Sequence, residues 1–294
     1  MSTLKYFVLD VFTDQRYKGN QLSVVYTDHE LDINQYHDIS QEFGYSETSF
    51  ISYSTDENVL KVRSFTPAKF EVIGAGHNLL GAVFLAIHKE WDIFKNQDGQ
   101  PWVMISGAKI PLQINVQNNL CYVGMKQSSA KIVGQVPADI IAEAIGLSIN
   151  DLDSDQWEVN IVKNEVAHLM VPVNNLEALQ KAVSNKSLLK EASLKFGFEG
   201  CYLFTVIGTD APYLAETRFF NPSIGIDEDP ATGTAAGPLA GYLAQSGYIR
   251  KHQDFQILQG KYIDQLSIIH VKVVDDGIWV SGTAVLVMEG ELYL

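Results

Sequence analysis

The sequence predicts an α+β protein of two pseudo-symmetric lobes, each a mostly antiparallel sheet curled round one long apolar helix. Three observations carry this expectation. First, one sequence unit recurs: Arg63-Ser-Phe-Thr-Pro67 is matched 155 positions later by Arg218-Phe-Phe-Asn-Pro222. A repeat of this kind decides the architecture before any single element does. Second, period-2 alternation dominates and helical patterns are few, which is the signature of sheets with occasional helices. Third, each copy carries a run apolar on nearly every face, Leu79 to Ile87 and its counterpart near Ala235. A helix without a polar face is a buried one.

In the first copy, alternating Tyr6 to Phe12 and Gln21 to Tyr26 read as a hairpin around Gly19-Asn20, followed by a helix over Leu31 to Phe43. In the second copy, Glu158 to Val162 and Ala167 to Val173 precede a helix over Leu176 to Val183. Strand-like stretches then lead into the arginine motifs, Val59 to Val62 and Tyr213 to Thr217, and a glycine and apolar helix follow each. Pro238 is expected in the first turn of its helix, where a missing N–H costs nothing. Downstream, Met104-Ile-Ser-Gly107-Ala-Lys-Ile110 parallels Ile257-Leu-Gln-Gly260-Lys-Tyr-Ile263, and Val116 to Gly124 parallels Val274 to Gly282. These matches place the first lobe at residues 1–117 with 283–294 and the second at 118–282.

Composition narrows the function. A content of 46% hydrophobic residues excludes general disorder, and no apolar run is long enough for a membrane helix. Met1 to Asp10 lacks the apolar core and small-residue cleavage site of a signal peptide, so the protein is expected in the cytoplasm. The two cysteines, Cys121 and Cys201, fit a reducing compartment and have no metal-ligand spacing. A formal net charge of −14 with scattered basic residues argues against nucleic acid. Any anionic ligand must then be recognised locally, against the global field.

Both copies supply a means of doing so. Gly74-Ala-Gly-His-Asn and Ala231-Thr-Gly-Thr-Ala-Ala-Gly each run straight into a helix start, where glycines admit close approach and first-turn N–H groups with the helix dipole attract an anion. With both starts facing one cleft between the lobes, a substrate carboxylate would be held by peptide dipoles. Three side chains near these loops suit acid–base work. Glu47 sits in Gly44-Tyr-Ser-Glu-Thr-Ser-Phe50, after the first helix and at the start of a strand. His77 occupies a helix start, which favours its neutral form. Asp229 precedes the second loop, where capping the turn before Pro230 is an equally good reading. No nucleophile–base pair or Walker loop competes, and Gly74-Ala-Gly76 lacks the third glycine of a dinucleotide fingerprint.

At these residues the sequence resembles the PhzF-like family of phenazine biosynthesis, relatives of diaminopimelate epimerase. The resemblance runs from Asp10-Val-Phe-Thr-Asp and Lys18-Gly-Asn-Gln through Ser46-Glu-Thr-Ser-Phe50, Arg63-Ser-Phe-Thr-Pro67 and Gly76-His-Asn-Leu-Leu-Gly81 to Glu228-Asp-Pro-Ala-Thr-Gly-Thr-Ala-Ala-Gly-Pro238. It implies the diaminopimelate epimerase-like fold, a barrel-like sheet around a central helix in each lobe, with the C-terminal strand returning to the first lobe. It further implies a cofactor-free isomerase, commonly a homodimer, acting on a small carboxylate-bearing substrate of the dihydro-hydroxyanthranilate type. Glu47 takes the role of general acid/base, and His77 and Asp229 position the substrate and assist proton transfer. Gly76, Gly233 and Thr234 match positions that hold the substrate carboxylate, and Asn78, in the same helix start as Gly76, completes the candidate binding set. The related epimerases use a cysteine in each loop, and neither Cys121 nor Cys201 is in one here. A single base moving a proton on one face is therefore the leading reading. A racemase or epimerase of amino-acid-like acids, and a non-catalytic metabolite-binding scaffold, are the alternatives.

Overall fold

In a computed structural model, which describes residues 2–54, 59–74, 76–91 and 100–294, the chain forms two compact units. One comprises Met1–Lys126 and Ser281–Leu294, the other Gln127–Val280. Each combines a mixed sheet with few helices, an α+β architecture.

The first unit opens with β1 (Thr3–Val11) and β2 (Asn20–Tyr26), antiparallel from Val11↔Asn20 to Lys5↔Tyr26. Helix α1 (Ile33–Phe43) follows, started by a capping box. Asp32 Oδ1 accepts from the Asn34 amide at 2.9 Å and Gln35 Oε1 accepts from the Asp32 amide at 3.0 Å, satisfying donors the helix cannot. It stops at Gly44, whose φ of 68° is the left-handed cap that glycine adopts without strain. β3 (Thr48–Ser54) then pairs parallel with β2, and β4 (Val59–Phe65) pairs antiparallel with β3 and with the two-residue β5 (Glu71–Val72). After α2 (His77–His88), β6 (Trp102–Ile105) pairs parallel with β4 and antiparallel with β7 (Ala108–Gln117), and β8 (Leu120–Gln127) pairs with β7. Asn118 and Asn119, at φ 51° and 64°, make the tight turn between β7 and β8 that suits a twisted hairpin. The C-terminal strand Ala284–Tyr293 runs antiparallel to β1.

The same series of pairings runs through the second unit. After β9 (Lys131–Gln135) and α3 (Ala138–Ala144), β10 (Asn160–Lys163) pairs antiparallel with β11 (Ala167–Pro172). Helices α4 (Leu176–Lys181) and α5 (Lys186–Phe196) lead to β12 (Gly200–Val206), parallel to β11. β13 (Ala215–Asn221) pairs antiparallel with β12 and with β14 (Ile226–Asp229). After α6 (Gly233–Gln245), β15 (Asp254–Gln259) pairs parallel with β13 and antiparallel with β16 (Ser267–Val274), and β17 (Gly277–Gly282) comes next.

The repeated arginines show what the shared motif does. Arg63 donates through Nε and Nη2 to both Glu71 oxygens, at 2.8 and 2.9 Å, while its guanidinium lies over Phe65 and Tyr36. Arg218 grips Glu228 in the same way at 2.9 and 2.6 Å, over Phe220 and Tyr262. Its Nη1 also donates to the carbonyls of Leu179 and Ala182 at the end of α4, at 3.0 and 2.6 Å. Planar, two-pronged pairing with a carboxylate and stacking on rings are things lysine cannot do.

Helices α2 and α6 are buried along most of their lengths, from His77 to Ala86 and from Gly233 to Leu243 with Thr234 partly accessible. Two sequence expectations change here. Helix α6 begins at Gly233, so Pro238 falls in the sixth helical position and not in the first turn. The carbonyl of Thr234 thereby loses the N–H that an α-helix would bring to it. The parallel between Gly107 and Gly260 holds for their left-handed backbones, φ 84° and 76°, but not for the elements they lead into. The first closes the tight β6–β7 hairpin, whereas the second enters the 3-10 turn Lys261–Ile263 before β16.

Candidate active site

In the first unit the fold places Glu47 one residue ahead of β3 and His77 at the first position of α2. The Glu47 side chain is 16% exposed and that of His77 7%, and Glu47 Oε2 lies 4.0 Å from His77 Nδ1. The other ring nitrogen, Nε2, is 3.4 Å from Ser46 Oγ, which is also 3.4 Å from Asn20 Oδ1. Burial pushes the His77 pKa down to about 4, so the imidazole is neutral at physiological pH. The sequence attributed that neutrality to the helix start; in the structure, desolvation of the ring is the cause. A neutral imidazole beside a carboxylate can donate one hydrogen bond and accept another.

The loop ahead of α2 is held from within. Asn78 is buried, its Oδ1 accepts from the amides of Gly76 and Leu79 at 2.8 Å each, and its Nδ2 donates to the Gly74 carbonyl at 3.1 Å. Asn78 therefore shapes the helix start, and the Gly76 amide is already engaged. Ala75 lies outside the described residues. Asp10, from the Asp-Val-Phe-Thr-Asp motif, is also buried and accepts from the Tyr17 amide at 2.5 Å, which pins the turn between β1 and β2.

In the second unit Asp229 ends β14 and is 6% exposed. Its Oδ2 accepts from the Thr232 hydroxyl at 2.5 Å. The Thr232 amide donates to Gln259 Oε1 at 3.1 Å, and Gln127 Nε2 donates to the Gly233 carbonyl at 3.0 Å. Gly233 is buried and Thr234 half-buried. Thus Glu47 is brought to His77, and Asp229 to the turn that starts α6.

Sequence reasoning passed over Ser46, Asn20, Thr232, Gln127 and Gln259. Ser46 and Thr232 lie inside the recognised motifs, flanking the residues singled out. Gln259 offered a fainter sign: an amide at the end of a strand, directly before a turn glycine. Among the described residues no group of three His, Cys, Asp or Glu side chains is placed to hold a metal ion.

The fold and these groups define a mixed-sheet α+β protein whose candidate acid–base side chains, Glu47, His77 and Asp229, sit largely buried at the ends of strands and helices. The sequence profile of the phenazine biosynthesis-like protein family matches residues 9–290, and the chain belongs to that family. It is 30% identical to a protein of Clostridium acetobutylicum named as an uncharacterised isomerase, over 98% of this chain and 97% of that one. It is 26% identical to the trans-2,3-dihydro-3-hydroxyanthranilate isomerase of Pseudomonas aeruginosa, over 99% of both chains. The crystal structure of a PhzF-family phenazine biosynthesis protein from Bacillus anthracis superposes with a TM-score of 0.85 at 25% identity, covering 100% of both chains. The protein is an enzyme of the isomerase class.

Proposed function

We propose that the protein is a cofactor-independent isomerase that moves a proton between carbons of a small carboxylate-bearing substrate, with Glu47 as general acid/base. The observation that carries this reading is the pairing of a largely buried Glu47 with a neutral His77 at 4.0 Å. General acid/base work needs a carboxylate held in place to take a proton and give it back, and the neutral imidazole of His77 beside it can donate one hydrogen bond and accept another. In the forward step the substrate C–H bond breaks and Glu47 receives the proton. The electron pair spreads toward the substrate carboxylate as a dienolate-like anion, and Glu47 returns the proton to a second carbon. His77 and Asp229 orient the substrate, His77 as a neutral donor or acceptor and Asp229 as an acceptor.

Helix starts leave first-turn amides without intrahelical partners, and those of His77 and Asn78 in α2, or of Gly233 and Thr234 in α6, are the candidate donors to the substrate carboxylate. Such donors stabilise the charge that develops in the intermediate. Gly76 contributes close backbone approach, its own amide being held by Asn78. The relative from Pseudomonas aeruginosa supports a substrate of the dihydro-hydroxyanthranilate type. The same reading takes the two units as copies of one ancestral lobe, each with a central helix in α2 or α6, in a cytoplasmic homodimer.

The test is proton exchange in deuterated water, run on trans-2,3-dihydro-3-hydroxyanthranilate and on a cell metabolite extract, with wild type and Glu47→Gln. The wild type is expected to place deuterium on a substrate carbon with migration of a double bond. The variant should be slower by about 10²–10⁴-fold, the usual contribution of a general acid/base. A Glu47→Gln protein exchanging at the wild-type rate refutes the role of Glu47. Exchange with loss of optical activity and no double-bond shift replaces isomerisation by epimerisation.

A further inference from the structure

We infer that Gln259 is a positioning residue that fixes Asp229 as a hydrogen-bond acceptor, by locking the single hydroxyl proton of Thr232 onto it. Gln259 ends β15 and is fully buried. The orientation of its amide is decided by two backbone groups of unambiguous polarity. The Thr232 N–H donates to Oε1 at 3.1 Å, and Nε2 donates to the Asp229 carbonyl at 2.7 Å. Reversing the amide would set donor against donor and acceptor against acceptor.

With that orientation fixed, the second Nε2 proton points at Thr232 Oγ1, 3.0 Å away, so the hydroxyl oxygen is the acceptor there. The one proton of Thr232 is left for Asp229 Oδ2 at 2.5 Å. The remaining lone pair of Oε1 accepts from the Tyr202 hydroxyl at 3.0 Å, and Tyr202 is itself fully buried, with Thr217 Oγ1 also at 3.0 Å. Both donors and both acceptor positions of the Gln259 amide are thereby used, and the arrangement has one self-consistent direction. Its consequence falls on Asp229. Burial favours the neutral acid, whereas a hydrogen bond donated to the carboxylate favours the charged form. Gln259 biases the aspartate toward the charged form while acting only through Thr232 and the loop backbone.

The catalytic meaning of this order rests on the proposed role of Asp229, but the order itself is a property of the protein without substrate, and the test is made there. Neutron diffraction from crystals of deuterated protein should show deuterium on Thr232 Oγ directed at Asp229 Oδ2, and the two Gln259 deuterons directed at the Asp229 carbonyl and at Thr232 Oγ. Deuterium on Asp229, or a Thr232 deuteron aimed elsewhere, overturns the inference. In solution, the side-chain carboxyl carbon of Asp229 is followed against pH in wild type, Gln259→Met and Thr232→Val. Both variants are expected to titrate higher than wild type by about one pH unit, a tenfold change in the acid equilibrium. Equal midpoints in wild type and Thr232→Val also overturn it, and that variant keeps Gln259 should Gln259→Met not fold. A merely structural role for Gln259 would leave the proton on Thr232 and the Asp229 midpoint unmoved. Failure of the proposed reaction leaves each of these outcomes readable.

Discussion

Lowering the pH from 7 to 5 should cost each unit about 2 kcal/mol of stability through one buried histidine. His77 in the first unit and His168 in the second are 6% and 3% exposed, and burial pushes their pKa values down to about 4 and about 3. Neither ring nitrogen of His168 has a hydrogen-bond partner among the described residues, and its ring packs edge-on against Phe219 at 5.3 Å. The sign is set by the depressed folded values. Both rings stay neutral in the folded state while the unfolded chain takes up a proton near pH 6.5. Their full contribution is therefore present above pH 6.5 and is lost as pH falls toward about 4 and about 3. Because both folded values lie below 5, the loss between pH 7 and 5 depends on the unfolded value alone: 1.5 pH units at about 1.36 kcal/mol each gives about 2 kcal/mol per histidine. That is a sizeable part of the 5–15 kcal/mol or so that holds a typical domain together. Urea unfolding of wild type and His168→Phe at the two pH values measures it. The variant should lose about 2 kcal/mol less than wild type on acidification. At pH 7 it should match or exceed wild type, since it no longer buries two unsatisfied nitrogens. An identical pH dependence in the two proteins would refute the reasoning.

Arg218→Ala is expected to cost about 3–5 kcal/mol, because it strands Glu228, 11% exposed, without its charge partner and releases the carbonyls at the end of α4. Arg63→Ala, whose pair with Glu71 is about 30% exposed on both sides, should cost only about 1 kcal/mol, and equal losses in urea unfolding would contradict the difference in burial. Gly200→Ala should lower the thermal midpoint, since an added Cβ would stand 2.1 Å from Phe219 Cζ and overpacking of this kind costs about 1–3 kcal/mol. Glu47→Gln, by contrast, keeps the side chain's size and is expected to change the unfolding free energy by no more than about 1 kcal/mol while losing turnover, and a collapse of stability would make its lost activity uninformative.

The features legible in the sequence were those that depend on local pattern. Alternation gave the hairpins at Tyr6 to Tyr26 and near Val162, and two wholly apolar runs gave α2 and α6, because burial on all faces leaves no polar residue to place. The arginine motif marked the repeat, but not its purpose: the carboxylates it grips, Glu71 and Glu228, lie eight and ten residues on, on strands only two and four residues long. Helix boundaries were less legible. The start of α6 lies earlier than the sequence suggests: Thr232 is a capping residue by type, but its hydroxyl is turned to Asp229 instead of to the helix amides, and Pro238 inside the helix reads as a first-turn residue. The site was legible where residues adjoin in sequence and illegible where side chains meet only through the fold. Ser46 and Thr232 could be seen, but nothing in Phe255-Gln-Ile-Leu-Gln259 reveals that the last amide reaches back 27 residues to Thr232 and 30 to Asp229.

The repeated strand pairings bear on how many bases the proposed reaction has. In the first unit Thr48 of β3 stands opposite Phe65, two residues beyond Arg63. In the second, Cys201 of β12 stands opposite Phe220, two residues beyond Arg218. Aligned on the arginines, the position that Glu47 occupies in the first copy is held by Gly200 in the second. That glycine cannot be exchanged for an acid, since the Phe219 ring fills the space where any side chain would begin. In the second unit packing occupies that position, and the ionisable side chain nearest its helix start, Asp229, stands on a different element, the end of β14. A two-base enzyme that inverts a stereocentre needs matched groups on opposite faces of one carbon. A lone glutamate with no counterpart in the repeat fits one group that takes up a proton and hands it back, which is the requirement of a proton shift along one face and the reason the deuterium experiment on Glu47→Gln bears on the reaction class as well as on the residue.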